Sequence, residues 1–430
     1  MWATSAPFLI YSHAVVKLEA AIARNAVHAL LARIACGQLT VVDDGRRWVY
    51  GSGSPQACVV VRDQRLWSAL RRGSLGLAQA YADRWWDSPD PAAVIALAAR
   101  NLGGLDAWRR RLAPVREPWL RGRALLARNT PRRSRADIAA HYDLGNDLFE
   151  LMLDETMMYS NAVFERRDMT LAEASRAKLD RICRKLALGP SDHVLEIGTG
   201  WGGFALHAAS AYGCRVTTTT LSREQASLAA ERVREAGLED RVTVLTNDYR
   251  ELRGTFDKLA SIEMIEAVGW KDFGTFFERC SRLLRPDGMM ALQAITIDDR
   301  LYEAEKAQRS FMNTLIFPNG CLPSLAVIAR EVGRRTDLSL VDLEDLTPHY
   351  AETLRRWRAN VEAHAVRLAA LGYDERFQRL WRLYLSFCEA GFSERRIHSV
   401  QVVLAKPRWR GLVARGVDVA GDGPASVAAA

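Results

Sequence analysis

The chain has 430 residues, 49% hydrophobic and 26% charged, which describes an ordinary soluble globular protein long enough for two or three folded units. Its formal net charge is +8, with Arg far outnumbering Lys, and that balance points to an anionic partner, either nucleic acid or a phospholipid headgroup layer. Cysteines at 36, 58, 183, 214, 280, 321 and 388 are scattered without C-x-x-C or His-paired spacing, and no apolar run reaches the length of a membrane span. No metal site is therefore expected, the expected compartment is the reducing cytoplasm, and any work on a membrane is done from its surface.

Residues 1–107 read as a small α+β module. A helical stretch (Ala14 to Ala35) precedes three short strand candidates, Gln38 to Val42, Arg47 to Tyr50 and Cys58 to Arg62, set between glycine turns. Leu75 to Asp87 and Pro91 to Asn101 then read as helices. Residues 108–135 form a basic, Pro-containing linker with Trp108 and Trp119, either a solvated connection or an interfacial strip that lays Arg on lipid phosphates. From 136 to 406 strands and helices alternate, which predicts a parallel, doubly wound α/β sheet. Its strand candidates are His193 to Ile197, Arg215 to Thr220, Val242 to Thr246, Phe256 to Ile262, Met289 to Thr296, Leu338 to Leu343 and His398 to Leu404. Residues 300–335 interrupt this core as an insertion, Tyr350 to Ala390 reads as one long helical stretch, and 407–430 read as a disordered tail.

The segment Val194-Leu-Glu-Ile-Gly-Thr-Gly-Trp-Gly-Gly203 joins an apolar strand to a glycine turn that opens a helix. Glycines at 198, 200 and 202 allow a tight turn and close approach of a ligand, and the helix start offers unpaired N–H groups. The letters also satisfy G-x-G-x-x-G, so NAD competes with S-adenosylmethionine. A dinucleotide fold wants an acid at the end of the second strand, but Arg215 to Ser222 contains none. Glu196 instead sits inside the first strand, where seven-stranded methyltransferases keep an acid. S-Adenosylmethionine is the cofactor these residues favour.

Six blocks stand in order along the chain: His141-Tyr-Asp-Leu-Gly-Asn-Asp-Leu-Phe149, Leu153-Asp-Glu-Thr-Met-Met-Tyr-Ser160, the glycine loop, Thr220-Leu-Ser-Arg-Glu-Gln225, Met264-Ile-Glu-Ala-Val-Gly269 and Ile316-Phe-Pro-Asn-Gly-Cys-Leu-Pro-Ser324. With them residues 136–405 resemble the cyclopropane fatty acid synthase family, and the N-terminal module resembles that of its longer bacterial members. The resemblance implies a seven-stranded Rossmann-like methyltransferase sheet. It assigns the cofactor to Tyr159, Ser160, Glu196, Gly198, Gly200, Gly202, Thr220, Leu221, Gln225, Asp248 and Tyr249. Thr220 and Gln225 are expected to serve the ribose, and Asp248 with Tyr249 the adenine. The implied reaction is attack of a cis alkene in an acyl chain on the sulfonium methyl, which leaves a carbocation and a proton to be removed. Loss of that proton from the new methyl closes a cyclopropane; loss of another gives a methyl-branched or methylene-bearing chain.

In cyclopropane-forming members a bicarbonate ion is held by a cysteine, a glutamate, a histidine, a tyrosine and an isoleucine backbone group. Glu266, Tyr350 and Ile295 match that set, whereas the cysteine position is Asn161 and the histidine position is Gln293. Asn161 and Gln293 are still expected to donate hydrogen bonds to bicarbonate or another small anion. The block Glu263 to Gly269, together with Gln293-Ala-Ile-Thr296, looks like the branch that makes methyl-branched or methylene chains. The implied partners are unsaturated phospholipid acyl chains and an anionic membrane surface, and a homodimer is compatible with the sequence. Without an RNA-binding module or an Asn/Asp-Pro-Pro-Tyr motif, nucleic acid is not an expected partner. Two rival readings are a methyltransferase for another small molecule and a non-catalytic lipid-binding relative, which the departures at 161 and 293 would suit.

Overall fold

Two sheets organise the described residues, which are 7–103, 144–306, 308–318 and 320–414 of the computed structural model. The smaller sheet lies in the N-terminal module. Helix α1 (Pro7–Leu31) leads to strands β1 (Gly37–Asp43), β2 (Arg46–Ser52) and β3 (Gln56–Val61), helices α2 (Arg65–Ala69) and α3 (Gly73–Ala82), strand β4 (Trp86–Asp87) and helix α4 (Pro91–Asn101). The strand order is β2-β1-β3-β4, with β1 antiparallel to β2 and parallel to β3. Asp44 and Gly45 close the β1–β2 hairpin with φ of 48° and 71°, the left-handed pair that suits a two-residue turn. Helix α4 starts behind Asp90, whose carboxylate accepts from the Ala92 N–H at 3.0 Å.

The helix expected over Leu75 to Asp87 stops at Ala82. Arg84 takes a φ of 60°, and Trp86 leaves the helical path to pair with Val61. Its ring is fully buried 4.8 Å from Tyr81, and its indole N–H donates to the Leu77 carbonyl. Burying a tryptophan while satisfying its N–H outweighs one more helical turn.

The larger sheet is built from 144 onward. In chain order come α5 (Asn146–Met152), α6 (Leu171–Lys185), β5 (His193–Ile197), α7 (Gly203–Tyr212), β6 (Arg215–Thr219), α8 (Arg223–Glu235), β7 (Val242–Leu245) and β8 (Phe256–Ile262). They are followed by α9 (Phe273–Leu283), β9 (Leu284–Ile297), α10 (Asp299–Glu305), α11 (Leu325–Arg335), β10 (Ser339–Asp345), α12 (Thr347–Ala363), α13 (Ala365–Ala370), α14 (Glu375–Ser393) and β11 (Ile397–Ala405). The strand order is β10-β11-β9-β8-β5-β6-β7. This is the expected α/β methyltransferase sheet, with flanking helices and a small N-terminal unit. It is mixed rather than all-parallel, because β11 enters antiparallel between β9 and β10. Tyr350 to Ala390 is three helices, interrupted at His364 and again at Gly372, whose φ of 98° suits only glycine.

The expected insertion at 300–335 holds α10, a π-helical turn at Met312–Ile316 and α11. The basic linker lies outside the described residues, as do 415–430. Residues 407–414 are not part of a disordered tail: the Arg408 N–H bonds the Pro286 carbonyl, and Trp409 packs on a core cluster under the sheet.

Helix α14 fastens the module to the larger sheet. Arg379 donates to the Tyr81 carbonyl at 2.8 Å and pairs with Asp87 at 3.0 Å, Arg376 pairs with Asp83, and Arg100 of α4 pairs with Glu394. Trp67, Trp86 and Leu97 of the module share one apolar cluster with Phe149, Trp381 and Tyr384. Trp86→Ala should therefore destabilise the protein by about 3–5 kcal/mol, read as a lower urea midpoint. An unchanged midpoint would show that the module contributes little to folding.

Candidate functional site

Strand β5 pairs with both β6 and β8, so the chain leaves its carboxyl end toward one side while β8 ends on the other. That divergence opens a crevice where α/β sheets bind ligands. The glycine loop fills one lip, with the N–H groups of Gly198 and Thr199 both donating to the Thr219 carbonyl, at 3.0 and 3.1 Å. Gly198 has a φ of 105°, and a Cβ there would stand 3.1 Å from the Met264 Cβ, so both conformation and space demand glycine. Gly202, with φ 86°, caps α7.

A cavity occupies this crevice. Of the residues expected to hold the cofactor, Tyr159, Ser160, Gly198, Gly200, Thr220, Leu221, Gln225, Asp248 and Tyr249 line it. Glu196 and Gly202 lie behind the lining. Glu196 is 1% exposed, and its carboxylate accepts from Thr218 Oγ1 at 2.6 Å. Burial pushes its pKa up to about 8, against the Thr218 bond and the nearby Lys178. Thr220 Oγ1 donates to Gln225 Oε1 at 2.8 Å, a bond that leaves the amide NH2 to a ligand. Asp248, expected to serve an adenine amine, lines the cavity with its carboxylate held by Arg250 at 2.8 and 2.7 Å. Tyr249 offers an aromatic edge, set 5.6 Å from Phe276.

The second expected constellation divides in two. Glu266 Oε1 accepts from the Ile295 N–H at 2.5 Å, and its Oε2 is buried with no hydrogen-bond partner. Tyr350, Gln293 and Asn161 do not join it; they converge on Glu263. The Tyr350 hydroxyl donates to Glu263 Oε2 at 2.5 Å, and Gln293 Nε2 and the Asn161 backbone N–H donate to Oε1 at 2.8 and 2.9 Å. The Asn161 amide points elsewhere, donating to the Leu346 carbonyl at 3.1 Å and Ser399 Oγ at 2.9 Å. Gln293 Oε1 accepts from Gln401. Of the two glutamates, Glu263 lines the cavity.

This arrangement answers the bicarbonate expectation. Every donor assigned to that ion is already bonded to protein: Ile295 to Glu266, Tyr350 and Gln293 to Glu263, and the Asn161 amide to Leu346 and Ser399. The donors of the set are thus engaged by protein, while Glu266 Oε2 has no hydrogen-bond partner.

Three groups at the site went unrecognised in the sequence. Glu263 is one, carried into place by a φ of 50° directly after β8. Lys178 is the second: it is fully buried and donates to Ser160 Oγ at 2.8 Å, and burial lowers its pKa to about 8 against the pull of Glu263, Asp154 and Glu196. Trp201 is the third; it lines the cavity, its indole N–H bonds Asn146 Oδ1, and its ring lies 4.7 Å from Phe149. The Glu263 position was readable only as part of a block. Nothing in the periodicity of α6 marks Lys178.

Comparison with known proteins agrees with this geometry. Residues 129–402 match the family described as mycolic acid cyclopropane synthetase. The chain is 40% identical over 336 residues to tuberculostearic acid methyltransferase UfaA1 of Mycobacterium tuberculosis, covering 75% of this chain and 76% of that protein. It is 37% identical over 364 residues to cyclopropane-fatty-acyl-phospholipid synthase of Escherichia coli, covering 84% and 91%. Among solved structures, the cyclopropane synthase MmaA2 from Mycobacterium tuberculosis superposes with a TM-score of 0.61 at 32% identity, over 65% of this chain and all of that one. Mycolic acid cyclopropane synthase CmaA1, complexed with SAH and CTAB, gives 0.59 at 33% identity, over 63% and 98%.

Burial, then the neighbouring Glu263, pushes the Glu266 carboxyl up to about 8. Above a pH of about 4.3 the unfolded chain has lost that proton while the folded protein keeps it. The stability it confers is therefore complete at low pH and lost as pH rises through about 8. Glu266→Gln should remove this dependence, so that stability measured by urea between acid and alkaline pH falls less than in wild type, by roughly 1–4 kcal/mol. Identical pH profiles would mean that Glu266 is ionised throughout.

Proposed function

The chain belongs to the mycolic acid cyclopropane synthetase family of S-adenosylmethionine-dependent acyl-chain methyltransferases, and on that premise we propose that it C-methylates cis double bonds in phospholipid acyl chains to give methyl-branched or methylene-bearing products. The observation that carries this reading is the convergence of Tyr350, Gln293 and Asn161 on Glu263, which removes the open anion site expected of a cyclopropane-forming enzyme. The 40% identity to a tuberculostearic acid methyltransferase supports the same branch.

When bound, S-adenosylmethionine supplies a methyl group on a positively charged sulfur. On this reading the glycine loop gives close backbone approach, Thr220 and Gln225 take the ribose, Tyr249 packs on the adenine, and Tyr159 with Ser160 closes the other end. Glu196 and Gly202 support the loop from behind. Acyl-chain chemistry then needs an apolar border that keeps water from the cation. Tyr159 lies 5.3 Å from Trp357 and 5.2 Å from Phe149, and Tyr350 stacks on Phe392 at 4.3 Å. Such π faces attract a passing cation without acting as nucleophiles. Glu266 holds the Ile295 backbone and so the end of β9 that faces the site.

Access to the lipid is proposed to occur at the cytoplasmic face of a membrane, supported by the net charge of +8 and the Arg/Trp content of 108–135. The test combines methyl-labelled cofactor with vesicles of cis-monounsaturated phospholipid, free fatty acid or RNA. Label should enter the phospholipid, and gas chromatography with mass spectrometry of the acyl esters should show methyl-branched or methylene chains. Gly198→Val should bind no cofactor by calorimetry and transfer no label. Cyclopropane as the sole product would overturn the product assignment; transfer only to another small molecule, or to nothing, would favour a different acceptor or a non-catalytic lipid binder.

A further inference from the structure

Acyl-chain methylation leaves a positive charge on the chain and a proton that must go somewhere. The acceptor has to be ionised, reach the cavity and be free of a permanent cationic clamp. Two acidic side chains line the cavity among the described residues, Asp248 and Glu263. Asp248 is held by Arg250 through two side-chain bonds. Glu263 remains. Burial raises its pKa, and three donors, from Tyr350, Gln293 and the Asn161 backbone, oppose that rise by bonding the carboxylate form. It also bridges two regions, bordering the cofactor cavity on one side and bonding through Tyr350 to the aromatic cluster on the other. The φ of 50° at Glu263 is an uncommon conformation for a side-chain-bearing residue, held here at a site of chemistry.

Resting on the acyl-methyltransferase reading, the geometry points to Glu263 as the catalytic base, a built-in carboxylate that accepts the proton released after methyl transfer and makes an added small anion unnecessary. In that step a C–H bond beside the cation breaks. Its electron pair becomes the π bond of a carbon–carbon double bond to the cationic carbon, and the proton passes to a Glu263 carboxylate oxygen and later to water. Charge balances, since one cation and one carboxylate become a neutral chain and a neutral acid. Lys178 and Glu266 are the other ionisable groups acting on this carboxylate, with Tyr350 as its hydrogen-bond donor.

The experiment measures turnover of the full chain on unsaturated phospholipid vesicles in carbon-dioxide-free buffer, with and without added bicarbonate. Wild type should turn over equally in both. Glu263→Gln should lower kcat by roughly 100-fold or more, with a smaller change in KM for S-adenosylmethionine. Glu263→Gly, which the left-handed backbone accepts without strain, should be inactive alone and partly restored by formate or bicarbonate. Wild-type turnover that collapses without bicarbonate, or Glu263→Gln within about 3-fold of wild type, far short of the loss expected for a proton acceptor, would overturn the assignment. A wild-type protein that methylates no acyl chain at all would instead sink the functional reading itself.

Discussion

Two carboxyl groups enclosed by protein, three residues apart in sequence, cannot both carry full charge without a cation beside them. That constraint shapes the site. Glu263 has three hydrogen-bond donors and Glu266 has one, which favours placing a charge on Glu263 rather than on Glu266. Burial raises both groups, and the charge on Glu263 adds to the rise at Glu266. Tyr350, Gln293 and Asn161 are recruited to stabilise the anion rather than left open to a ligand. The cavity, the end of β9 and the aromatic cluster around Trp357 all meet at this pair.

The cofactor half of the site was legible in the sequence because it is made by backbone. A strand ending at Ile197, glycines with positive φ and a helix start at Gly203 are written in residue types with few alternatives. The catalytic half was not, because it depends on which way side chains turn. The Glu263 backbone leaves β8 in a left-handed conformation that no pattern of polar and apolar letters encodes. Asn161 matched the expected position, yet its amide turns to Ser399 and Leu346, contacts more than 180 residues away in sequence. The antiparallel entry of β11 and the early end of α3 were hidden likewise, since long-range pairing and the burial of Trp86 decide them.

Net charge proved a blunter guide than it first looked. Part of the arginine is engaged within the protein: Arg379 and Arg358 are largely enclosed beside Asp87 and Glu389, while Arg376, Arg100 and Arg355 form ion pairs at the surface. The exposed pairs add little stability, and the enclosed ones hold orientation more than they stabilise. The Arg available for lipid phosphates is therefore a smaller set than composition implies, with 108–135 its main reserve in sequence.

The division of charge between Glu263 and Glu266 is the claim on which the mechanism turns, and infrared spectroscopy reads it directly. At neutral pH the wild-type protein should show a stronger protonated-carboxyl stretch than Glu266→Gln, since buried Glu196 contributes to both, and the difference between the two should titrate away with a midpoint of about 8. Spectra in which wild type and Glu266→Gln carry the same protonated-carboxyl intensity would place the charge on Glu266 and contradict the account.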